Sequence, residues 1–136
     1  MITLYTDGSS NGKTGGVGGW GVLVTGTMVP GQRTYSGRVE NTTNNQMELM
    51  AVLEGLRTIE NGEEVLVVTD SRLVIGWLYN GWQRKNPGCA AICRDIDDLI
   101  RERKLQVQYQ HIKGHSGHVE NEICDKLAKA ARKELP

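Results

Sequence analysis

The spacing of hydrophobic residues divides the chain into strands and helices. Apolar and polar side chains alternate over residues 2–7 and again over residues 105–111, which is typical of strands with one buried face. Apolar residues three or four positions apart, from 49 to 59, indicate a helix with one buried face. The unbroken apolar run 65–68 is typical of a strand that is buried on both faces.

These patterns, with the turn and capping residues between them, predict nine elements in the order βββαβααβα. The predicted strands are 2–7, 20–24, 33–39, 65–68 and 105–111, and the predicted helices are 44–59, 71–79, 89–103 and 119–134. The first three strands are joined by loops alone, so we expect an antiparallel meander. The expected fold class is α/β, a mixed five-stranded sheet with helices packed on it, in a single domain over residues 1–136.

Capping residues and glycines mark the ends of these elements. Thr43 followed by Gln46 is a capping-box pattern at the start of the first helix. Pro87-Gly88 reads as a break before the third helix. Seven glycines among the fourteen residues 8–21 predict a loop. Residues 16–21 match the dinucleotide pattern GxGxxG, but a strand follows them where that motif needs a helix, so we reject a dinucleotide site.

Composition and charge exclude several classes of protein. The 16 basic and 16 acidic residues cancel, so bulk positive charge cannot hold a nucleic acid, although residues 71–115 carry a local excess of eight basic over four acidic residues. Three cysteines without a CxxC pair favour buried, inert thiols over a disulfide framework or a zinc site. No apolar run is long enough to span a bilayer and no secretory signal is visible, so we expect a cytoplasmic protein that does not contact a membrane.

Three carboxylates are expected to meet at one edge of the sheet. Asp7 and Asp70 each follow an apolar strand, and the ends of strands are where ligands bind in open α/β sheets. Glu48 lies at the margin of the apolar face of the first helix and points toward the sheet. Each acid also has a simpler interpretation: Asp7 as a turn former, Asp70 as a helix cap and Glu48 as a favourable charge near a helix N-terminus. Together they suggest a hard cation such as Mg²⁺ or Mn²⁺, because like charges repel unless a cation lies between them.

At this point the sequence resembles a known family, type 1 ribonuclease H. The resemblance rests on five segments in the family's order: 6–9 (TDGS), 42–49 (TTNNQMEL), 68–71 (VTDS), 113–118 (KGHSGH) and 121–128 (NEICDKLA). It implies an endoribonuclease that cuts the RNA strand of an RNA/DNA hybrid and leaves 5′-phosphate and 3′-hydroxyl ends. It also implies two Mg²⁺ ions in each site, with Mn²⁺ as a substitute, and a monomeric protein. Many members carry an extra helix and a basic loop where this chain has only residues 81–88, so we expect a member that lacks this basic insertion.

The resemblance assigns roles to eight residues. The metal-binding carboxylates would be Asp7, Glu48, Asp70 and Asp125, and His115 would be a mobile catalytic histidine. Substrate contacts would come from Thr43, Asn44 and Asn45. Trp82, in the segment 81–88, is a further candidate for substrate binding, as a stacking surface. Helical periodicity alone favours a solvated Asp125, helix capping alone explains residues 43–45, and Trp82 fits a core position equally well.

Other interpretations of the histidines and of the activity remain. His118 fits a capping residue, His111 fits a hydrogen-bonded sheet residue, and a zinc site built from the three histidines is disfavoured because they belong to different elements. The alternative functions are a DNA-acting nuclease or transposase of the same fold and a catalytically silent hybrid-binding module.

Overall fold

The computed structural model describes residues 1–11, 16–26, 31–114 and 116–133. In these residues the predicted order βββαβααβα is confirmed. The strands are β1 (Ile2–Ser10), β2 (Gly16–Gly26), β3 (Arg33–Thr42), β4 (Glu64–Thr69) and β5 (Gln106–His111), and the helices are α1 (Asn44–Arg57), α2 (Arg72–Leu78), α3 (Pro87–Arg103) and α4 (Val119–Lys133).

The five strands form one mixed sheet in the order β3-β2-β1-β4-β5. The pairs β1–β2 and β2–β3 are antiparallel, which confirms the predicted meander. The pairs β1–β4 and β4–β5 are parallel. The chain passes from β1 to β4 through β2, β3 and α1, and from β4 to β5 through α2 and α3. The central position of β1 and β4 explains why β4 is the continuous apolar run in the sequence, because a central strand is covered on both faces.

Helices cover both faces of the sheet, and glycines let them approach closely. A side-chain carbon at Gly21 would lie 2.5 Å from the Cys124 carbonyl oxygen, so α4 packs directly on the backbone of β2. The next residue of the strand, Val22, is packed against Gly55 of α1 on the other face. The glycine-rich segment, predicted to be a loop, is therefore mostly strand, because β1 continues to Ser10 and β2 begins at Gly16. The GxGxxG segment lies in β2, in agreement with its rejection as a dinucleotide motif.

Several predicted boundaries were wrong by a few residues. The prediction started α3 at Cys89, but the helix begins at Pro87, because Asn86 caps it and proline is well suited to the first helical position. Helix α1 ends at Arg57, short of the predicted Ile59, with Thr58 as its C-cap. The predicted last residue of α4, 134, lies outside the described residues.

The three cysteines are buried and unpaired, as the sequence predicted. Burial raises the pKa of Cys93 to about 11 and that of Cys124 to about 12, so both stay protonated near neutral pH. Among the described residues, no helix combines the length and apolar character needed to cross a bilayer.

Candidate active site

The parallel pairing of β1 and β4 brings the first two carboxylates together. Tyr5 is paired with Val68 in this register. Two residues further along each strand stand Asp7 and Asp70, so the same register places them side by side at one end of the sheet. Asp7 is 5% exposed, whereas Asp70, the residue after β4, is half-buried.

Helix α1 brings the third carboxylate to the same point because a glycine lies beneath it. A side-chain carbon at Gly8 would lie 2.2 Å from the Met47 carbonyl carbon and 2.3 Å from the Glu48 nitrogen, so only glycine fits there. The Gly8 N–H donates to Asp7 Oδ1 at 3.0 Å and to Glu48 Oε1 at 2.7 Å. One backbone amide thus holds both carboxylates in place.

The three carboxylates form a compact oxygen cluster. Asp7, Glu48 and Asp70 each offer one oxygen, and these oxygens lie within 4.8 Å of one another. None of the ion pairs found in the described part of the chain includes any of the three. A cluster of acidic oxygens without a cationic side chain suits a hard divalent cation, so the residues present fit a metal site.

The raised pKa values of the clustered carboxylates also favour a cation site. The pKa of Asp7 is raised from 3.8 to about 7, chiefly by burial and also by the charges of Asp70 and Asp125, although hydrogen bonding with Glu48 and Gly8 opposes the rise. Burial, and then the charge of Asp7, hold the pKa of Glu48 well above its usual value. Without a cation, protons must therefore relieve the repulsion between these groups.

The simpler interpretations of the three acids do not fit the structure. Asp7 lies inside β1 and is paired with a β2 residue, so it does not form a turn. The cap of α2 is Ser71, whose side chain accepts from the Val74 N–H at 3.3 Å, and Asp70 is not used as the cap. Glu48 is the fifth residue of α1, beyond its first turn. The carboxylates of all three are thus left for another role.

Asp125 lies near this cluster but is not part of it. Its charge contributes to the raised pKa of Asp7, which places the two groups within electrostatic reach. Asp125 Oδ2 is 3.0 Å from Lys129 Nζ, and the Asp125 side chain is 22% exposed. The prediction of a solvated helix residue is therefore only partly right, and the metal-binding role of Asp125 stays a prediction.

Comparisons with known proteins show the family of this chain. A sequence model of the RNase H family matches residues 1–133. The chain belongs to the ribonuclease H family. It is 39% identical to a ribonuclease H of Rhodopirellula baltica over 96% of this chain and 89% of that one. It is 40% identical to a ribonuclease H of Aeromonas salmonicida over 98% and 92% of the two chains.

Solved structures of the family share the fold. The structure of LC11-RNase H1 in complex with an RNA/DNA hybrid superposes with a TM-score of 0.82, at 25% identity over 97% of this chain and 96% of that one. The RNase H1 of the archaeon Halobacterium salinarum has a TM-score of 0.79 at 22% identity, over 96% of both chains. With relatives of about 40% identity named as ribonucleases H over nearly its full length, the chain is an enzyme of this family. The family is metal-dependent, in accord with the acidic cluster.

The histidines of this ribonuclease H occupy different environments. His115 lies outside the described residues, but the preceding Gly114 is close to the cluster, since a side-chain carbon there would lie 2.8 Å from Asp70 Oδ2. His118 accepts from the Asn121 N–H through Nδ1 at 3.4 Å, as expected of a capping residue. His111 Nε2 lies 3.2 Å from the Asp70 carbonyl oxygen, as expected of a hydrogen-bonded sheet residue.

The predicted substrate residues 43–45 lie at the start of α1, beside the end of β1. Thr43 caps α1 by accepting from the Gln46 N–H at 3.3 Å, while Gln46 Oε1 accepts from Thr42 Oγ1 at 2.9 Å. Asn44 and Asn45 are exposed. The capping role of Thr43 is confirmed, and the substrate contacts of the three residues stay predictions.

Trp82 combines the two roles considered for it. Its ring packs on Gly76, where a side-chain carbon would lie 2.0 Å from Trp82 Cε3, yet 49% of the residue is exposed. Trp82, Arg72 and His111 help to line a shallow cavity of about 280 Å³. Because His111 also contacts the Asp70 backbone, the exposed face of Trp82 lies on the side of the molecule that carries the acids.

Arg84 is fixed within the fold, whereas its neighbour Lys85 is exposed. Arg84 Nη1 lies 2.7 Å from Asp97 Oδ2, and Arg84 Nη2 donates to the Trp77 carbonyl oxygen at 3.0 Å. Trp77 is partly buried against the core. Sequence reasoning missed this use of Arg84, because its partner Asp97 lies on another element.

Proposed function

We propose that this enzyme is an endoribonuclease that hydrolyses the RNA strand of RNA/DNA hybrids and leaves 5′-phosphate and 3′-hydroxyl ends. The observation that carries the proposal is the cluster of Asp7, Glu48 and Asp70, whose oxygens lie within 4.8 Å of one another. The similarity to LC11-RNase H1, whose structure contains an RNA/DNA hybrid, supports the choice of substrate.

The acidic residues would act together as the metal-binding set. Asp7 and Glu48, held by the Gly8 amide, and the more exposed Asp70 and Asp125 would hold two Mg²⁺ ions, with Mn²⁺ as a substitute. When bound, such ions lower the pKa of an attacking water and stabilise the charge on the leaving oxygen. Because the Gly8 amide already fixes Asp7 and Glu48, the protein would change little when the ions bind.

The remaining residues would bind substrate and move protons. His115 would shuttle a proton near the Asp70 side of the site, where the backbone of Gly114 passes. Thr43, Asn44 and Asn45 would contact the hybrid in its minor groove, where the 2′-hydroxyl identifies RNA. Trp82 would offer its exposed face for stacking.

The test is a cleavage assay on matched RNA/DNA, RNA/RNA and DNA/DNA duplexes, with and without Mg²⁺. We expect cleavage of the RNA strand in the hybrid alone, and only with the cation. Cleavage of DNA/DNA would instead indicate a DNA-acting nuclease, and binding of hybrid without cleavage would indicate a silent binding module. Labelled 5′ and 3′ ends would identify the product termini.

We also propose that the working form is a monomeric, single-domain, cytoplasmic protein. The sheet and the acidic cluster are built from one chain, with no residue required from a second copy. Sedimentation analysis at the concentrations of the cleavage assay tests the assembly, and localisation of a tagged chain tests the compartment. A dimer that alone carries activity would contradict the proposal.

A further inference from the structure

Arg132, in the last turn of α4, ties that helix to the end of β1. Arg132 Nη1 donates to Ser9 Oγ at 2.7 Å and also to the Ser10 carbonyl oxygen. Both serines are almost completely buried, with exposures of 7% and 8%. Hydrogen bonds from a charged guanidinium are stronger than neutral ones, so this contact fixes the backbone of the strand end.

The backbone of Arg132 is itself held firmly. A side-chain carbon at Gly19 of β2 would lie 2.7 Å from the Arg132 nitrogen and 2.1 Å from the Ala128 carbonyl oxygen. Helix α4 therefore lies directly on the strand backbone at this point. Because of this close packing the backbone of Arg132 is fixed in position, and its side chain extends from there to the end of β1.

The same strand end holds Asn44, at the first position of α1. The Ser10 N–H donates to Asn44 Oδ1 at 3.2 Å. Arg132, Ser10 and Asn44 thus form a chain of contacts that joins α4 to β1 and β1 to α1. The catalytic Asp7 lies on the same strand, three residues before Ser10.

This contact also sets the chemistry that Asn44 presents to a ligand. A backbone N–H can only donate, so the Asn44 carbonyl oxygen must face Ser10 and its NH₂ group is available as a donor. Both A·T and T·A pairs present acceptors in the minor groove of a duplex. A donor fixed in this orientation suits contact with such minor-groove acceptors.

We propose that Arg132 is a positioning residue for hybrid binding, which acts through Ser10 to fix the place and the amide orientation of Asn44. The inference rests on the proposed function and deepens it, because it names a residue outside the predicted site that determines how tightly the hybrid is held. Arg132 lies on the face of α4 that sequence periodicity assigns to solvent.

The test compares Arg132→Met, Asn44→Ala and the double variant. Hybrid affinity is measured in an Asp70→Asn background to prevent cleavage, and kcat and KM are measured with Asp70 intact. Arg101→Met is the matched control, since Arg101 is an exposed arginine on α3 that pairs with Asp98 within the same helix. Thermal unfolding of every variant separates folding from binding.

We expect Arg132→Met to raise Kd and KM about 3- to 10-fold, which corresponds to the loss of about one neutral hydrogen bond to the duplex. The kcat should stay within about twofold of the parent value. The double variant should bind no more weakly than Asn44→Ala alone, because both changes remove the same contact. The dependence of affinity on salt should stay unchanged. Arg101→Met should bind as the parent does.

Two results would overturn the inference while leaving the proposed function intact. One is unchanged affinity in Arg132→Met. The other is an effect that adds to that of Asn44→Ala and lowers the salt slope by roughly 0.9, which would mean that Arg132 contacts a phosphate directly. If Arg132→Met does not fold, Arg132→Lys replaces it: the charge is kept but the fork of donors is lost, so Kd should still rise at an unchanged salt slope. Failure of the parent protein to bind hybrid would instead contradict the proposed function.

Discussion

Replacing Asp7 by Asn should stabilise the metal-free enzyme at alkaline pH. In the folded protein the pKa of Asp7 is raised from 3.8 to about 7, chiefly by burial. Between these two values the folded state holds a proton that the unfolded state has released. The free energy of unfolding must therefore fall as pH rises through this interval, and the full cost is present above it. An asparagine has no such proton to lose.

The size of the effect follows from the pKa shift. A rise from 3.8 to about 7 corresponds to about 4 kcal/mol of lost stability once Asp7 is ionised. Asparagine keeps an oxygen that can accept from the Gly8 N–H, but it is still a buried polar group. We therefore expect Asp7→Asn to raise the free energy of unfolding by about 1–3 kcal/mol at pH 8 and by almost nothing at pH 4.

The assay is thermal and urea unfolding of both proteins from pH 4 to pH 8, in a chelator and then in excess Mg²⁺. For a domain of this size each kcal/mol moves the Tm by roughly 3–5 °C. Added Mg²⁺ should stabilise the parent more than the variant, because the cation offsets the repulsion among the carboxylates. Asp95→Asn, which changes an exposed acid on α3, is the control. A gain in Asp7→Asn that is equal at pH 4 and pH 8 would refute the reasoning.

Four further predictions concern activity, hybrid binding and stability. Asp70→Asn should reduce hybrid cleavage to background while the protein stays folded, as checked by circular dichroism; near-normal turnover would contradict the two-metal assignment. His115→Ala should lower turnover by about 10²–10⁴-fold, less than Asp70→Asn does, with calorimetric Mg²⁺ binding intact; loss of that binding would make the histidine a ligand. Lys85→Ala should lower the salt slope of hybrid binding by up to roughly 0.9 without changing the Tm. Arg84→Ala should instead destabilise the fold by about 1–3 kcal/mol through its bond to Asp97, and an unchanged Tm would show that this contact contributes nothing.

The meeting of the three acids could be predicted because it depends on chain topology. Asp7 lies in β1 and Asp70 directly follows β4, and their shared register follows from the parallel pairing of these two neighbouring strands. Sequence patterns report strands and their order well, since alternation and apolar runs reflect burial. The direction of Glu48 could likewise be read from the apolar face of α1.

The glycine-rich segment 8–21 was wrongly predicted to be a loop, because the sequence does not show which elements pack against these glycines. A cluster of glycines predicts a loop when only local conformation is considered. In this fold Gly8 and Gly19 are strand residues that leave room for a helix backbone. A side-chain carbon would lie 2.2 Å from the Met47 carbonyl carbon at Gly8, and 2.1 Å from the Ala128 carbonyl oxygen at Gly19. Close packing between elements, and not backbone freedom, determines these two positions.

The basic residues show where sequence reasoning stops. Lys85 and Arg84 are neighbours in the chain, yet Arg84 pairs with an acid 13 residues away. Arg132 reaches across 123 residues to Ser9. A cationic side chain has no periodic signature for its partner, because a long flexible stem can reach any of several elements. For this reason the acids of the site follow from the order of the strands, whereas the residues that hold the substrate-binding edge in place follow only from the packed structure.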